Sequence, residues 1–195
     1  LGLLVSGGHT VICTVHDYDR IEVLGTTIDD AIGEAFDKVS KHYGFGYPGG
    51  VIIDQMAQRG DPLAYRFPGP SLQKGDHPYD VSYSGLKTAV INQLDQFAQG
   101  SSTKKPEDIA ASFQRTAVGI LMKRVRKALD DTNLTRLAAG GGVAANSLLR
   151  KELKNLHGVE VAIPSMQLCT DNGAMIAALA YRYLVDGKSS SLDIT

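Results

Sequence analysis

Short apolar runs at the front of the chain give way to a four-three-four spacing, and the change marks the first boundary between strand and helix. Leu3–Val5, Thr10–Val15 and Arg20–Leu24 read as three strands joined by tight turns. Gly7-Gly8 suits the first hairpin loop and His16-Asp17-Tyr18-Asp19 the second. Thr27-Ile28-Asp29-Asp30 resembles a capping box, and Ile32, Phe36, Val39 and Tyr43 then form the buried stripe of a helix that Gly44 ends. Residues 44–105 are less regular. The turn cluster Gly46-Tyr47-Pro48-Gly49-Gly50 leads into a short helix from Val51 to Gln58. Residues 59–80 read as a long surface loop, Ser84 to Ala98 as another helix, and Gly100-Ser101-Ser102-Thr103 as a flexible connection.

Regular patterning returns at Pro106-Glu107-Asp108, a helix opening with proline early and acids in the first turn. Ile109, Phe113, Ala117, Ile120, Leu121 and Val125 give that helix one apolar face. Leu137–Ala139 predicts a strand, and the loop Gly140-Gly141-Gly142 opens into a helix from Asn146 to Leu156. Val159 to Pro164 predicts the next strand. Thr170 is the expected cap of a last helix ending near Gly187. Met175, Ile176, Ala178, Leu179, Ala180 and Tyr183 predict that this helix is largely buried. Three meandering strands followed by β/α units describe an α/β fold: the ribonuclease-H-like half of the actin-like ATPase (ASKHA) architecture, with a mixed sheet. The expected core is residues 1–43 and 106–195, and residues 44–105 form a mostly helical insertion.

Composition narrows the function classes. With 43% hydrophobic and 21% charged residues, the 195-residue chain has the make-up of a soluble globular domain. A formal net charge of −1 gives no global positive field, so any nucleic-acid contact has to be a local patch. Cys13 and Cys169 fit no metal or redox spacing and read as buried reduced thiols. The apolar runs are too short to span a bilayer, so no membrane partner is expected. The first residues read as mid-strand, with neither an initiator Met nor a basic leader, and both ends are expected to be cut.

Two glycine loops carry the chemistry. Ser6-Gly7-Gly8-His9-Thr10 and Gly140-Gly141-Gly142 each follow an apolar run. Without a Cβ, backbone N–H groups approach a ligand closely, and a helix N-terminus behind the loop adds positive potential. Such charge-assisted hydrogen bonds are worth about 1.5–3 kcal/mol each. A lone glycine hairpin is equally a plain turn, and the Walker pattern is missing, which argues against a P-loop NTPase. Asp37, four residues after Gly33, can accept ribose hydroxyls or be solvated helix surface. Asp54, four after Gly50, has the same ambiguity. Asn146 is an N-cap or a ligand contact. Asp171, at the start of the last helix, complements the helix dipole or serves a hard metal. Lys87, within Ser84-Gly85-Leu86-Lys87-Thr88, can meet an anion such as phosphate or RNA. The histidines form no H-x-x-x-H pair, so a His-rich metal site is not available within this chain.

These motifs together resemble one family, the TsaD group of tRNA N6-adenosine threonylcarbamoyltransferases, once labelled Gcp or O-sialoglycoprotein endopeptidase. The resembling segments are Leu4 to Thr10, Gly33 to Lys38, Tyr47 to Gly50, Ser84 to Thr88, Ala139 to Asn146 and Cys169 to Ile176, in the family's order. The resemblance implies transfer of a threonylcarbamoyl group from threonylcarbamoyl-AMP to N6 of adenosine 37 in tRNAs reading ANN codons. It implies a nucleotide site, for threonylcarbamoyl-AMP or ATP, at Leu4, Val5, Ser6, Gly7, Gly8, Asp37, Gly50, Asp54, Gly141 and Asn146. It also implies one metal, iron or zinc, with Asp171 as a ligand and two histidines upstream of this chain. Protein partners from the same pathway and a cytoplasmic setting follow, an organellar one remaining open. No catalytic acid or base is assigned. The alternatives are an actin-like ATPase or sugar kinase, which shares the loops but not the later motifs, a non-catalytic scaffold, and the metalloprotease of the old label, for which no zincin helix is present.

Overall fold

The computed structural model describes residues 1–69, 78–98 and 105–191. In chain order the elements are β1 (Gly2–Val5), β2 (Thr10–Asp17), β3 (Arg20–Thr26), α1 (Ile32–His42), α2 (Gly49–Ala57), α3 (Ser84–Ala98), α4 (Pro106–Thr132), β4 (Arg136–Gly140), α5 (Ser147–Lys154), β5 (Glu160–Ala162) and α6 (Gly173–Val185). The middle of the expected 59–80 loop and the Gly100–Thr103 connection lie outside the described residues.

The strands form one sheet in the order β3-β2-β1-β4-β5. β1 pairs antiparallel with β2 and β2 with β3, whereas β1–β4 and β4–β5 are parallel. The expected antiparallel meander and parallel extension are therefore present. β5 is shorter than expected, spanning Glu160–Ala162.

Period-two burial decides which sheet face meets the helices. Leu3, Val5, Ile12, Leu137 and Ala139 join one core with Ile32, Phe36 and Val39 of α1, the apolar face of α4, and Leu149 and Leu153 of α5. Ile53, Val81, Tyr83, Leu86 and Val90 belong to the same core, so residues from the 44–105 stretch pack into it directly. The alternate sheet positions, Leu4, Val15, Ile21 and Val23, are exposed.

Two capping expectations are corrected. Thr27–Asp30 does not cap α1: the N-cap is Ala31, which makes no side-chain cap hydrogen bond. Asp29 instead reaches the start of α3. It accepts hydrogen bonds from the Tyr83 and Ser84 N–H groups at 2.8 and 3.2 Å and from the Ser82 and Ser84 hydroxyls at 2.5 and 2.7 Å. Asp30 holds Lys38 at 2.6 Å and Lys87 at 2.8 Å. The cap residue of α6 is Asn172, whose side chain accepts from the Met175 N–H, and not Thr170.

The larger correction concerns α6 itself. None of its residues is buried, and Met175, Ile176, Tyr181, Leu184 and Val185 are more than half exposed. The helix is tethered at its far end, where the Tyr18 hydroxyl bonds Asp186 and the Tyr18 and Tyr183 rings meet edge to face at 5.2 Å. Its apolar composition reports a need for cover that the described residues do not meet. Of the two thiols, Cys169 is buried and Cys13 half-buried, and both are free.

The Asp29 cluster predicts a pH dependence. Burial alone would raise the Asp29 carboxyl, but the hydrogen bonds from Ser82, Tyr83 and Ser84 outweigh it, leaving its pKa below the ordinary 3.8. A folded-state pKa below the unfolded one stabilises fully above the unfolded value, and that contribution is lost as pH falls through the folded value. Asp29→Ala is expected to cost about 1–2 kcal/mol in urea unfolding at neutral pH, the size of a lost N-terminal cap. The gap between wild type and variant should begin to narrow below about pH 4 and go on narrowing as the pH falls further.

Candidate functional site

The cleft begins where backbone packs on backbone. In the β1–β2 turn the Ser6 N–H donates to the His9 carbonyl at 2.8 Å and the His9 N–H to the Ser6 hydroxyl at 3.0 Å. The N-terminus of α1 lies on this turn. The Gly33 N–H donates to the Ser6 carbonyl at 3.3 Å, and a Cβ on Gly33 would sit 2.5 Å from that oxygen. Gly7 and Gly8 themselves face open space. The turn thus presents glycine backbone beside a helix N-terminus, the arrangement that favours anions.

The second glycine loop leaves β4 beside this turn. Gly141 has φ +94°, and a Cβ there would lie 2.2 Å from the Val5 carbonyl oxygen. Its missing side chain makes room for β1. Gly142 opens a single 3-10 turn through Ala145, and the helix expected from Asn146 follows it as α5, from Ser147 to Lys154. Asn146 caps α5, its side-chain oxygen accepting from the Leu149 N–H at 3.0 Å.

Helix α2 closes the third side. Asp37 on α1 accepts from the Gly49 N–H at 2.8 Å, which ties the start of α2 to α1. A Cβ on Gly49 would meet the Phe36 carbonyl oxygen at 2.7 Å, so the two helices cross at backbone contact. Asp54 then locks α2 to α4 and α5. Its Oδ1 accepts from Gln114 at 3.0 Å and the Ser147 hydroxyl at 2.7 Å, and its Oδ2 from the Ser147 N–H at 3.1 Å. Asn146 completes this cluster through Gln114 at 2.9 Å.

These elements enclose a cavity of about 500 Å³. Gly7, Asp37, Gly50, Asp54 and Asn146, drawn from three distant stretches of sequence, all line it. Leu4, Val5, Ser6, Gly8 and Gly141 are not among its lining residues. Val5, Ser6 and Gly141 build its frame, Gly8 is at the exposed tip of the turn, and Leu4 points to the bare sheet face. Lys87 is held by Asp30, away from the lining. Asp171 is exposed and precedes the cap of α6 by one residue, two steps earlier than the first helical position expected for it; its neighbour Thr170 reaches the cavity.

Sequence reasoning missed one wall. Val51, Gln55 and Gln58 line the cavity together with Gly50 and Asp54. These positions share one face of α2, so projecting a helix from Gly50 would have found them. Met166 also contributes, from an irregular stretch with no periodic signal.

A profile of the family described as TsaD, tRNA N6-adenosine threonylcarbamoyltransferase, matches residues 1–178. The chain belongs to this family. A tRNA N6-adenosine threonylcarbamoyltransferase of Treponema denticola is 59% identical over 187 residues, covering 96% of this chain and 55% of the relative. Its namesake in Treponema pallidum (strain Nichols) is 53% identical over 195 residues, covering 100% and 55%. The Borrelia hermsii protein is 50% identical over 190 residues, covering 97% and 56%. The chain spans a little over half the length of these relatives. Among solved structures, full-length HypF in a phosphate- and nucleotide-bound form matches with TM-score 0.66 at 15% identity, over 94% of this chain and 39% of that one. The activator of 2-hydroxyisocaproyl-CoA dehydratase from Clostridium difficile, with bound ADPNP, matches with TM-score 0.55 at 17% identity, over 99% and 64%. These two support the actin-like ATPase fold, as expected.

Among the described residues no group of three or more His, Cys, Asp or Glu side chains is placed to hold a metal ion. Asp171 offers a single exposed carboxylate, and the donor set here does not fit the iron or zinc that the family resemblance implies.

Two glycine substitutions separate framing from ligand contact. Gly141→Ala is expected to destabilise the fold by about 3 kcal/mol, from a strained φ and a clash with Val5. Gly50 sits in α2 with nothing within 4 Å of a built Cβ. Gly50→Ala should therefore leave urea stability equal or slightly raised while weakening adenine-nucleotide binding in calorimetry.

Proposed function

We propose that this chain supplies the nucleotide-binding wall of an enzyme that moves the threonylcarbamoyl group of threonylcarbamoyl-AMP to N6 of adenosine 37 in tRNAs reading ANN codons. The observation that carries the reading is the family match across residues 1–178 together with the convergence of Gly7, Asp37, Gly50, Asp54 and Asn146 on one cavity.

The chemistry assigned to this chain is binding and orientation. The Gly7-Gly8 turn and the N-terminus of α1 receive the phosphate of the adenylate through backbone N–H groups. One Asp37 oxygen already takes the Gly49 N–H, and the second is directed to a ribose hydroxyl. Asp54 acts mainly by holding the wall, since its oxygens already accept from Gln114 and Ser147. Fixing the adenylate holds its acyl carbon for attack by the adenosine amine, a proximity effect. No proton transfer is assigned to a residue of this chain. Asp171 is proposed as one donor of a transition-metal site whose other donors lie outside these residues, and no step is drawn through that metal. The reading places the enzyme in the cytoplasm with other proteins of the same modification pathway; among the described residues no helix is long and apolar enough to cross a membrane.

The test is a chimera in which this chain replaces the matching portion of the Treponema denticola relative. It is expected to transfer labelled threonylcarbamoyl from threonylcarbamoyl-AMP to tRNA and to retain iron or zinc. The 195-residue chain alone should bind the adenylate, retain no stoichiometric metal and modify no tRNA. A folded chimera that phosphorylates a sugar or cleaves a peptide, and leaves tRNA unlabelled, would overturn the reading.

A further inference from the structure

The solvent strip of α4 carries only cations among its charged positions from Arg115 to Lys127, with Asp130 and Asp131 following. Between residues 115 and 127 the exposed positions are Arg115, Gly119, Lys123, Arg126 and Lys127, and every other residue is buried or half-buried. The strip spans about 18 Å at 1.5 Å per residue. In a chain of net charge −1 this is a local concentration of one sign. Arg126 is paired with Glu152 at 2.8 Å and Lys127 with Asp131 at 2.7 Å. Arg115 and Lys123 make no ion pair or hydrogen bond with any described residue.

Beside the strip lies a groove of about 420 Å³, floored by Gly119 and Met122 and walled by Phe67 and Leu148, with Arg115, Arg126 and the Glu152 carboxylate at its lining. It is separated from the cleft by a single hydrogen-bonded wall. Gln114 and Ser147 bond Asp54 on the cleft side, and the next residues, Arg115 and Leu148, line the groove. Groove and cleft are thus lined from neighbouring residues of α4 and of α5.

We propose that the α4 strip and its groove bind the phosphate backbone of the tRNA whose target base enters the cleft. The proposal rests on the transferase reading above. Phosphate contacts position a nucleic acid without reading its sequence, and Arg115 at the groove and Lys123 further along the strip, neither paired with a described residue, suit that task. Arg115 offers a fork to phosphate oxygens and Lys123 a point charge. Arg126 would exchange Glu152 for phosphate, leaving an ion pair worth little at the surface.

The decisive measurement is the salt dependence of tRNA binding by the 195-residue chain, read by fluorescence anisotropy with a labelled tRNA transcript. Each lost phosphate contact lowers the slope of log affinity against log salt by about one. The double variant R115Q/K123Q is expected to lower that slope by about two and to melt at the wild-type temperature. R115K/K123R should keep the wild-type slope. R20Q, on edge strand β3, should leave it unchanged. A wild-type slope in R115Q/K123Q, or an equal fall in R20Q, overturns the strip as the tRNA surface while leaving the transferase reading intact. Competition by polyglutamate as strong as by tRNA would make the strip an acidic-protein site and overturn it too. Salt-independent or absent tRNA binding by the wild-type chain would overturn the strip as well, the transferase reading being decided by the chimera.

Discussion

Three contacts between backbones, each closed at a glycine, set the shape of the cleft. Gly33 lies against the Ser6 carbonyl, Gly141 against the Val5 carbonyl and Gly49 against the Phe36 carbonyl, all at distances that a Cβ would forbid. They bring the N-terminus of α1 onto the first turn, the second loop onto β1, and α2 onto α1. None of the three glycines depends on a ligand for its reason to be glycine. The open glycines, Gly7, Gly8 and Gly50, form a second class: no neighbour within 4 Å requires them to lack a side chain. In a chain with many glycines, this division separates those that frame a site from those that leave space inside it, as Gly7 and Gly50 do, or at its rim, as Gly8 does.

Carboxylates divide in the same way. Asp29, Asp30, Asp37 and Asp54 each stand near a glycine or helix start in the sequence, where a binding role and a capping role look alike. In the structure, Asp29 and Asp30 tie the segment before α1 to α3 and Lys87. Asp54 ties α2 to α4 and α5. Only Asp37 combines a lining position with an oxygen for which no described residue is a donor. The partners of Asp29 and Asp54 lie more than fifty residues away in sequence, so no local pattern could have distinguished these roles.

Legibility therefore followed the range of the interaction. The strand meander, the α1 stripe, the α4 face and the Asn146 cap rest on contacts within a turn or a hairpin, and each was readable from local spacing. The joint convergence of the two glycine loops followed from β1 and β4 being parallel neighbours, which the β/α order implies. The α2 wall of the cavity was missed because Val51, Gln55 and Gln58 carry no chemistry until the helix is placed. The burial of α6 was misjudged for a different reason. Its sequence carries a single charge, Arg182, across thirteen residues, and such a helix is ordinarily covered on all sides. Apolar content states how much cover a helix needs and is silent on which surface provides it. The exposed apolar positions Leu4, Val15, Ile21 and Val23 on the bare sheet face pose the same question.

The electrostatics of the cavity restrict how an anionic ligand can lie in it. Its lining contains two carboxylates, Asp37 and Asp54, and no lysine or arginine. A phosphate placed centrally would face uncompensated negative charge in a partly enclosed space, where Coulomb interactions are stronger than in water. The sites of positive potential are at the edge: the Gly7-Gly8 backbone and the N-terminal end of α1, where the Ser6, Ile32 and Gly33 N–H groups are already taken by His9, Thr10 and Ser6. On the reading proposed above, the phosphate would lie at that edge and the hydroxyl-bearing sugar, a hydrogen-bond donor, at the carboxylates. Val51, Val143 and Met166 offer apolar contact for a base beyond them. That ordering of phosphate, sugar and base is the polarity that the adenylate proposed above would require.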